Sequence, residues 1–540
     1  NTENNFFSRT DTLDLLKKRV LDLKEGYRQN VALLGNQYVG KSSLLINFVE
    51  NLDDPDVTVV YLDLENKDFH YFFKKFIASL LYNFSKNSNL PLHANVNLLL
   101  ESTKERIPHT TQVIRRIQDE FEAGKVEQAF YGLMALPEVF TNETGKFCVL
   151  IFDEFQNTED VLMNSVFQDL GKKIMTQKRC LYLFSSSYPT QAQKILSEKL
   201  SLLFGNFEIV TIEPFDFESS QAFIVHNLQD IKIGATLRNF LIDFTGGYPL
   251  YLNLICQELT NLSAVFKQNE IYLPMLSQAV ENTIFDRWGV ISRHFELIVN
   301  ELCAGKGRIN CSILMSLSNG KNKTDEIVKD LSLKRNFVQQ KLAKMIEQGI
   351  LIKNGNLYYF KDKLFKYWIK YIYQKRIKDV EISPEGQRKQ FKEEFKAAVE
   401  NFQNSSRRDI SSRIIELFYC FENESFDLNG RRYRLPNFRD ISLHKLDDAS
   451  NRYFDIIQAK TESTVWCIVL KKESFGESDV SRVIAETKRS GRKPERYLII
   501  SLTDLDENTR LKALEERFWI WNETEVNTLL TLFEKPFITR

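Results

Sequence analysis

This chain of 540 residues has no excess of either charge: Lys+Arg and Asp+Glu both number 72. Bulk charge therefore selects no partner, and any basic surface has to be local. Nowhere is there an apolar run near the ~20 residues of a membrane-spanning helix. The polar start Asn1-Thr-Glu-Asn-Asn5 lacks the basic-then-apolar order of a secretory signal. Cysteine is sparse. The seven (Cys148, Cys180, Cys256, Cys303, Cys311, Cys420, Cys467) are scattered, mostly in apolar stretches, with no CxxC and no Cys/His cluster. A zinc array and a disulfide framework are thereby excluded, and the expectation is buried, reduced thiols in a cytoplasmic protein without membrane contact. The six histidines are equally dispersed and read as structural. What remains, 43% hydrophobic and 27% charged, is ordinary globular composition, and the length suggests three or four domains.

One stretch organises the rest. Val31–Leu34 is an apolar run of strand type. Gly35-Asn36-Gln37-Tyr38-Val39-Gly40-Lys41-Ser42 follows it and matches G-x-x-x-x-G-K-[ST], and from Ser43 the chain resumes with helical spacing. Strand, glycine-bounded loop and helix is the setting of a phosphate loop. Gly35 and Gly40 let backbone N–H groups turn inward around an anion, and the helix adds its positive end. Lys41 is expected to reach the β- and γ-phosphates of ATP or ADP, and the Ser42 hydroxyl to ligate Mg²⁺.

A second apolar strand, Phe147–Phe152, ends in Asp153-Glu154-Phe155-Gln156. It puts a carboxylate at the carboxyl edge of a sheet, beside the loop. Asp153 is expected to hold Mg²⁺ through water, and Glu154 to polarise the water that attacks the γ-phosphate. The strand from Arg179 ends in Ser185-Ser186-Ser187, and Ser186 or Ser187 is placed against the γ-phosphate or that water. Alternating strands and helices from Val31 to Pro214 give an α/β fold with a doubly wound, mainly parallel sheet. A helical insertion spans about Phe69–Phe140, with breaks near Asn87–Pro91 and Ile107–Pro108.

Beyond Phe217 the pattern is helical to about Phe295, broken at Gly246-Gly247-Tyr248-Pro249. Residues 313–360 then have winged-helix grammar: a short helix, a tight turn, a longer helix from Arg335 and a hairpin about Asn354-Gly355. Residues 301–380 hold 17 Lys/Arg against 7 Asp/Glu. Lys334, Arg335, Gln339, Gln340, Lys341 and Lys344 fall on the exposed face of the longer helix. Double-stranded DNA in the major groove is one reading; an internal packing module is the other. After a linker at 375–386, the tail alternates helices with strands at Tyr453–Ala459, Val465–Lys471, Tyr497–Ser501 and Phe518–Trp521. Asp455 and Lys471 or Lys472 stand where a metal-dependent nuclease keeps an aspartate and a lysine. The acid two positions before the lysine is replaced by Val469 or Leu470, so cleavage is not expected unless Glu416 or Glu473 compensates.

Phe7-x-Arg9, Gly35–Ser42, Asp153–Gln156, Ser185–Ser187 and Gly247-Tyr-Pro249 together resemble the archaeal-type ATPases of the STAND class, an AAA+-like lineage of P-loop switches. The resemblance covers residues 1–290 and continues into the basic hairpin region. It implies that Phe7, Arg9 and Pro249 clasp the nucleotide base, and that the tail resembles a degenerate restriction-endonuclease-like domain. Family members often carry Gly-Arg after the sensor strand. Here Gly205 is followed by Asn206, so turnover is expected to be slow or to need a partner's arginine. The organisation expected is an α/β P-loop core at 1–215, a helical lid at 216–295, a winged helix at 296–380 and an α/β nuclease-like domain at 385–540. The function expected is an ATP-dependent switch coupled to DNA binding or regulated assembly, as a homo-oligomer or with a protein partner. A replication initiator or helicase loader, a defence or mobile-element nuclease and a nucleic-acid-free signalling scaffold are the alternatives.

Overall fold

A computed structural model describes residues 7, 9–64, 68–158, 164–200, 205–303, 307–378, 384–447, 453–471, 475–489, 494–503, 505–533 and 535–538. The chain divides into two compact units. The first comprises Asn1–His226, Gly247–Asn253 and Glu347–Gly349; the second comprises Asn227–Gly246, Leu254–Ile346 and Ile350–Arg540. The Gly247-Tyr-Pro249 turn thus belongs with the phosphate loop and not with the helices on either side of it in sequence.

The first unit is an α/β fold. Strands β1 (Asn30–Leu34), β2 (Val57–Asp63), β3 (Phe147–Asp153), β4 (Cys180–Ser186) and β5 (Phe207–Thr211) form one sheet in the order β2-β3-β4-β1-β5. Every pairing in it is parallel. β1, β3 and β4 read as near-continuous apolar runs because helices cover both of their faces. The insertion folds as helices Phe69–Asn87, Val96–Thr103, Pro108–Glu122 and Val126–Thr144, broken where the sequence breaks. Asp68 starts the first by accepting from the backbone N–H groups of His70 and Tyr71, which would otherwise have no partner. Its apolar stripe, Phe72, Phe76 and Leu80, enters one core with Val60, Leu150, Phe152 and Phe130. Parallel strands put their carboxyl ends on one edge, so Gly35, Asp153 and Ser186 emerge together there.

The second unit begins with helices. Two short strands, β6 (Lys232–Ile233) and β7 (Glu270–Ile271), pair in parallel. Helices Ala235–Thr245, Leu273–Phe285 and Val290–Cys303 lead to Arg308–Ser318, Thr324–Leu331 and Arg335–Glu347. An antiparallel hairpin follows, β8 (Leu351–Asn354) with β9 (Leu357–Phe360). The rings of Phe295, Phe365 and Trp368 pack together, and Phe365 meets Phe360 of β9. Cys303 and Cys311 form a disulfide, with Cα atoms 6.1 Å apart. This corrects the expectation of seven reduced thiols. A helix end and a helix start eight residues apart bring the two β-carbons within bridging reach, which scattered spacing elsewhere conceals.

The rest of the unit carries more strands than the sequence pattern gave. β10 (Ser425–Leu428) and β11 (Arg431–Arg434) make an antiparallel hairpin. β12 (Asp440–Asp447), β13 (Tyr453–Lys460), β14 (Val465–Lys471), β15 (Arg496–Ser501) and β16 (Trp519–Trp521) make a mixed sheet in that order. The first two pairings are antiparallel and the last two parallel. Its two faces pack separate cores, one around Trp521, Leu498 and Ile468 and one around Val469, Ile499 and Val480. The β8–β9 hairpin is docked on β10. Asn354 donates its amide to the Asp427 carbonyl and accepts the Asp427 N–H, at 2.9 and 2.6 Å. Gly355, at φ +62°, lies so close that an added Cβ would sit 1.6 Å from the Ser425 carbonyl oxygen. Among the described residues, no helix is long and apolar enough to cross a membrane.

Candidate nucleotide-binding site

The phosphate loop leaves β1 at Gly35, whose N–H donates to the Ser186 carbonyl. A Cβ here would stand 2.2 Å from the Ile212 carbonyl oxygen, so only glycine passes between β1 and β5. Tyr38 and Gly40 both adopt positive φ, 64° and 93°, the left-handed conformations that turn consecutive amides to one side. Lys41 opens the helix Lys41–Glu50 and is 4% exposed. Burial pushes its pKa down, against the opposing pull of Glu154 and then Asp153. Its ammonium donates to the Asn36 carbonyl at 2.8 Å and to Ser187 Oγ at 2.9 Å.

Ser187, in turn, holds Glu154. Its hydroxyl donates to Glu154 Oε1 and its N–H to Oε2, at 3.1 Å for the latter. The Gln156 amide donates to the same Oε2 at 2.6 Å. Glu154 itself is at φ +56°, a strained turn for a residue with a Cβ. Lys41, Ser187 and Glu154 are therefore one hydrogen-bonded chain. Ser186, the first of the two sensor candidates, is elsewhere: its Oγ accepts from the Tyr188 N–H at 3.1 Å and its carbonyl serves Gly35. Successive residues at a strand end point to opposite sides, so only Ser187 faces Lys41. Of the two sensor candidates, Ser187 is the one hydrogen-bonded to Lys41 and Glu154.

Asp153 is 3% exposed. Its Oδ2 accepts the Tyr61 hydroxyl at 2.8 Å, and its Oδ1 accepts the Glu154 N–H at 3.2 Å. Burial first, and then Asp153 nearby, push the Tyr61 phenol well up, so it stays a donor. Ser42 is half-buried and Ser43 exposed on the same helix. A serine hydroxyl and a carboxylate are hard oxygen donors, the set that suits Mg²⁺ with water completing its shell. Among the described residues, no group of three or more His, Cys, Asp and Glu is arranged to hold a metal.

On the far side of the loop stand the residues expected to clasp a base. Arg9, itself at φ +72°, donates to the Val39 carbonyl at 2.9 Å and the Glu213 carbonyl at 2.6 Å. Its guanidinium lies 5.2 Å from the Phe215 ring centroid. Burial lowers its pKa, partly offset by Asp216. Phe7 packs between Phe223, at 5.6 Å, and Phe215, at 6.2 Å. Phe215 N–H donates to the Gly247 carbonyl at 2.9 Å, and Gly247 lies so close that a Cβ would be 2.2 Å from the Phe215 oxygen. Pro249 then starts the helix Pro249–Phe266. Tyr248 accepts the Asn36 side-chain amide at 2.9 Å and stacks on Tyr251, which reaches Tyr38. Gln37 lies in the same turn, half-buried. Tyr61, Gln156 and Tyr248 are site residues that sequence reasoning misses. Gln156 had a signal in its fixed place after Asp153-Glu154; the tyrosines had none, because their reach depends on strand register and turn packing.

The other candidate residues lie in the second unit. On the helix Arg335–Glu347, Lys334 just before it and Gln339 and Lys344 within it are exposed, Arg335 is paired with Asp325, and Lys341 covers the Phe337 ring at 5.5 Å. Asp455 pairs with Leu470 across β13 and β14, so the two share a face, and Ser411 donates to Asp455. Lys471 points to the opposite face, where it is buried against Asp479 at 2.7 Å. Asp455 and Lys471 are not brought together. Leu470, on the face of Asp455, is 2% exposed in an apolar core. Lys472 and Glu473 lie outside the described residues.

A phosphate loop at the carboxyl edge of a five-stranded parallel sheet, facing an Asp-Glu strand end, defines the P-loop nucleotide-hydrolase class. Residues 6–255 match the model of an ATPase domain predominantly from Archaea. Over that span the chain resembles an archaeal-type ATPase domain. No curated protein matches the chain. Among solved structures it is similar to the Walker-type ATPase PABY2304 of Pyrococcus abyssi, at 15% identity and TM-score 0.47, covering 68% of this chain and 97% of that one. It is also similar to the ORC2 protein of Aeropyrum pernix in its ADPNP–ADP complexes, at 11% identity and TM-score 0.44, covering 70% and 98%. The RuvB Holliday-junction branch-migration motor of Thermotoga maritima follows at 13% and 0.32, covering 68% and 96%.

Proposed function

We propose that this protein is an ATP-driven switch that hydrolyses ATP slowly and couples its nucleotide state to DNA binding. The observation that carries the reading is the chain Lys41–Ser187–Glu154. A γ-phosphate entering beside Lys41 competes with Ser187 for the ammonium. The presence or loss of that phosphate is then felt at Glu154, whose carboxylate is the base for the attacking water. In the same reading Gly35, Asn36, Gln37, Tyr38, Val39 and Gly40 cradle the phosphates, Ser42 and Ser43 close the cradle at the helix start, and Phe7, Arg9 and Pro249 border the base. Ser42 and Asp153 are the residues that would hold Mg²⁺, which would supply neutralising charge to the phosphates. No arginine of this chain is assigned to the γ-phosphate, which fits slow turnover or an arginine from a second copy.

The output side rests on the helix Arg335–Glu347 with the β8–β9 hairpin, read as a winged helix. Its exposed Lys334, Gln339 and Lys344 suit a major groove and its phosphates. We assign the C-terminal sheet a binding role and no cleavage, since Lys471 is neutralised by Asp479 and Leu470 stands on the Asp455 face. The domain limits 1–215, 216–295, 296–380 and 385–540 remain our functional division, with the base-side turn counted to the nucleotide site.

The test is nucleotide binding and turnover by the full chain and by Lys41→Ala and Glu154→Gln. Lys41→Ala is expected to lose binding or turnover, and Glu154→Gln to bind ATP while turnover falls by about a hundredfold or more. Normal turnover by Lys41→Ala sinks the site assignment. Duplex-DNA affinity, measured with ADP and with a non-hydrolysable ATP analogue across a salt series, tests the coupling. Flat, negligible binding in both states removes DNA as the output.

A further inference from the structure

The hairpin that a winged helix ordinarily extends beside DNA is not free here. Its turn is pressed against β10, with Asn354 hydrogen-bonded to both backbone groups of Asp427 and Gly355 against the Ser425 carbonyl. Lys323, which starts the helix Thr324–Leu331, is tied to the same place. Its ammonium pairs with Glu424 at 2.7 Å and Glu422 at 2.9 Å, and Glu424 is 1% exposed. The turn of the first hairpin is thus covered by the strand that opens the next, β10–β11.

That second hairpin is rigid and basic. Phe426 and Tyr433 pair across its inner face and pack on Trp519 and Trp521. At its turn, Asn429 donates to Glu525 at 2.5 Å. Arg431, Arg432 and Arg434 are all exposed. Arg434 is steadied by Asn423 at 3.0 Å. Neither Arg431 nor Arg432 has an ion-pair partner among the described residues, although Asp427 lies directly across from Arg432. Strand parity puts Arg432 and Arg434 together on the outer face, with Arg431 beside the turn on the side of Tyr433. Exposed guanidinium groups on a held backbone carry the charge and fork that pair with phosphate.

We propose that the β10–β11 hairpin is the working wing of this protein: its arginines clamp duplex-DNA phosphates, while the β8–β9 hairpin serves only to hold it in place. This rests on the reading of helix Arg335–Glu347 as the DNA-facing helix. Being phosphate contacts, these arginines position the protein and carry no base preference.

The experiment uses the full chain, a random-sequence 30-base-pair duplex and a salt series, with ADP and with the ATP analogue. Arg431→Ala/Arg432→Ala/Arg434→Ala is expected to lower affinity by about tenfold or more and to flatten the log–log salt slope by about two to three, near 0.9 per lost contact. The double variant Arg431→Ala/Arg432→Ala, which leaves the Arg434–Asn423 bond intact, is expected to lose about two. The triple lysine variant keeps the slope. All should retain the wild-type melting temperature and ATP turnover. If both alanine variants bind with wild-type affinity and slope while Lys334→Ala/Lys344→Ala binds weakly, the hairpin is not the wing and the DNA reading stands. If the wild-type chain binds no duplex, both fall together.

Discussion

Ser186 and Ser187 differ by one position and share no partner. One hydroxyl caps the backbone of Tyr188, and the other stands between Lys41 and Glu154. Ser187→Ala is expected to lower kcat by about tenfold or more with a smaller change in KM. Ser186→Ala is expected to leave turnover near wild type and to cost about 1 kcal/mol of stability. Steady-state kinetics and melting of the two variants separate them. Gly247→Ala puts a Cβ against the Phe215 carbonyl at a positive φ of 73°. It should weaken nucleotide binding, measured by calorimetry, more than Gly26→Ala, where the same strain meets open space. At this scale the sequence was legible where chemistry sits in a contiguous motif: Gly35–Ser42 and Asp153-Glu154 were in plain view. It was illegible where one residue's parity decides, as with the two serines, or where register supplies the partner, as with Tyr61 and Asp153.

β1, β3 and β4 could be read as elements because burial on both faces leaves an apolar run with no other use. β10 and β11 could not. Arg431-Arg-Tyr-Arg434 has one apolar member, and its pairing is held from outside by Tyr433 on two tryptophans; only the Asn429-Gly430 turn announced it. Of the nuclease-like constellation, Asp455 and Lys471 are kept apart for a related reason, while Lys472 lies outside the described residues. Strand parity, invisible until β13 and β14 are in register, separates Asp455 from Lys471. Asn354 is the pin between the two hairpins, and Asn354→Ala removes two hydrogen bonds to Asp427. A loss of about 1–2 kcal/mol is expected, seen as a lower melting temperature of the full chain. Gly355→Val, with no room beside Ser425, should be worse.

At the scale of the whole molecule, acid should find one weak place. Burial pushes the pKa of His294, on the helix Val290–Cys303, down to about 4. The folded chain keeps this ring neutral while the unfolded chain takes up a proton near pH 6.5. Its contribution to stability is complete above about pH 6.5 and is lost as pH falls toward 4. Melting temperatures between pH 7.5 and 4.5 should fall, and His294→Gln should flatten part of that fall. A pH profile identical in the variant would show that other groups carry the acid response.

The division of the chain has a consequence for the order in which the protein is made. The first unit runs to His226, and its base-side turn, Gly247–Asn253, comes only after the twenty residues that belong to the second. A ribosome that has released the whole parallel sheet has still not released Tyr248 or Pro249. The nascent ATPase can thus acquire its phosphate cradle before its base-side wall. Ligand protection of stalled chains should begin not when Thr211 emerges, but some forty residues later, once Asn253 has cleared the exit tunnel.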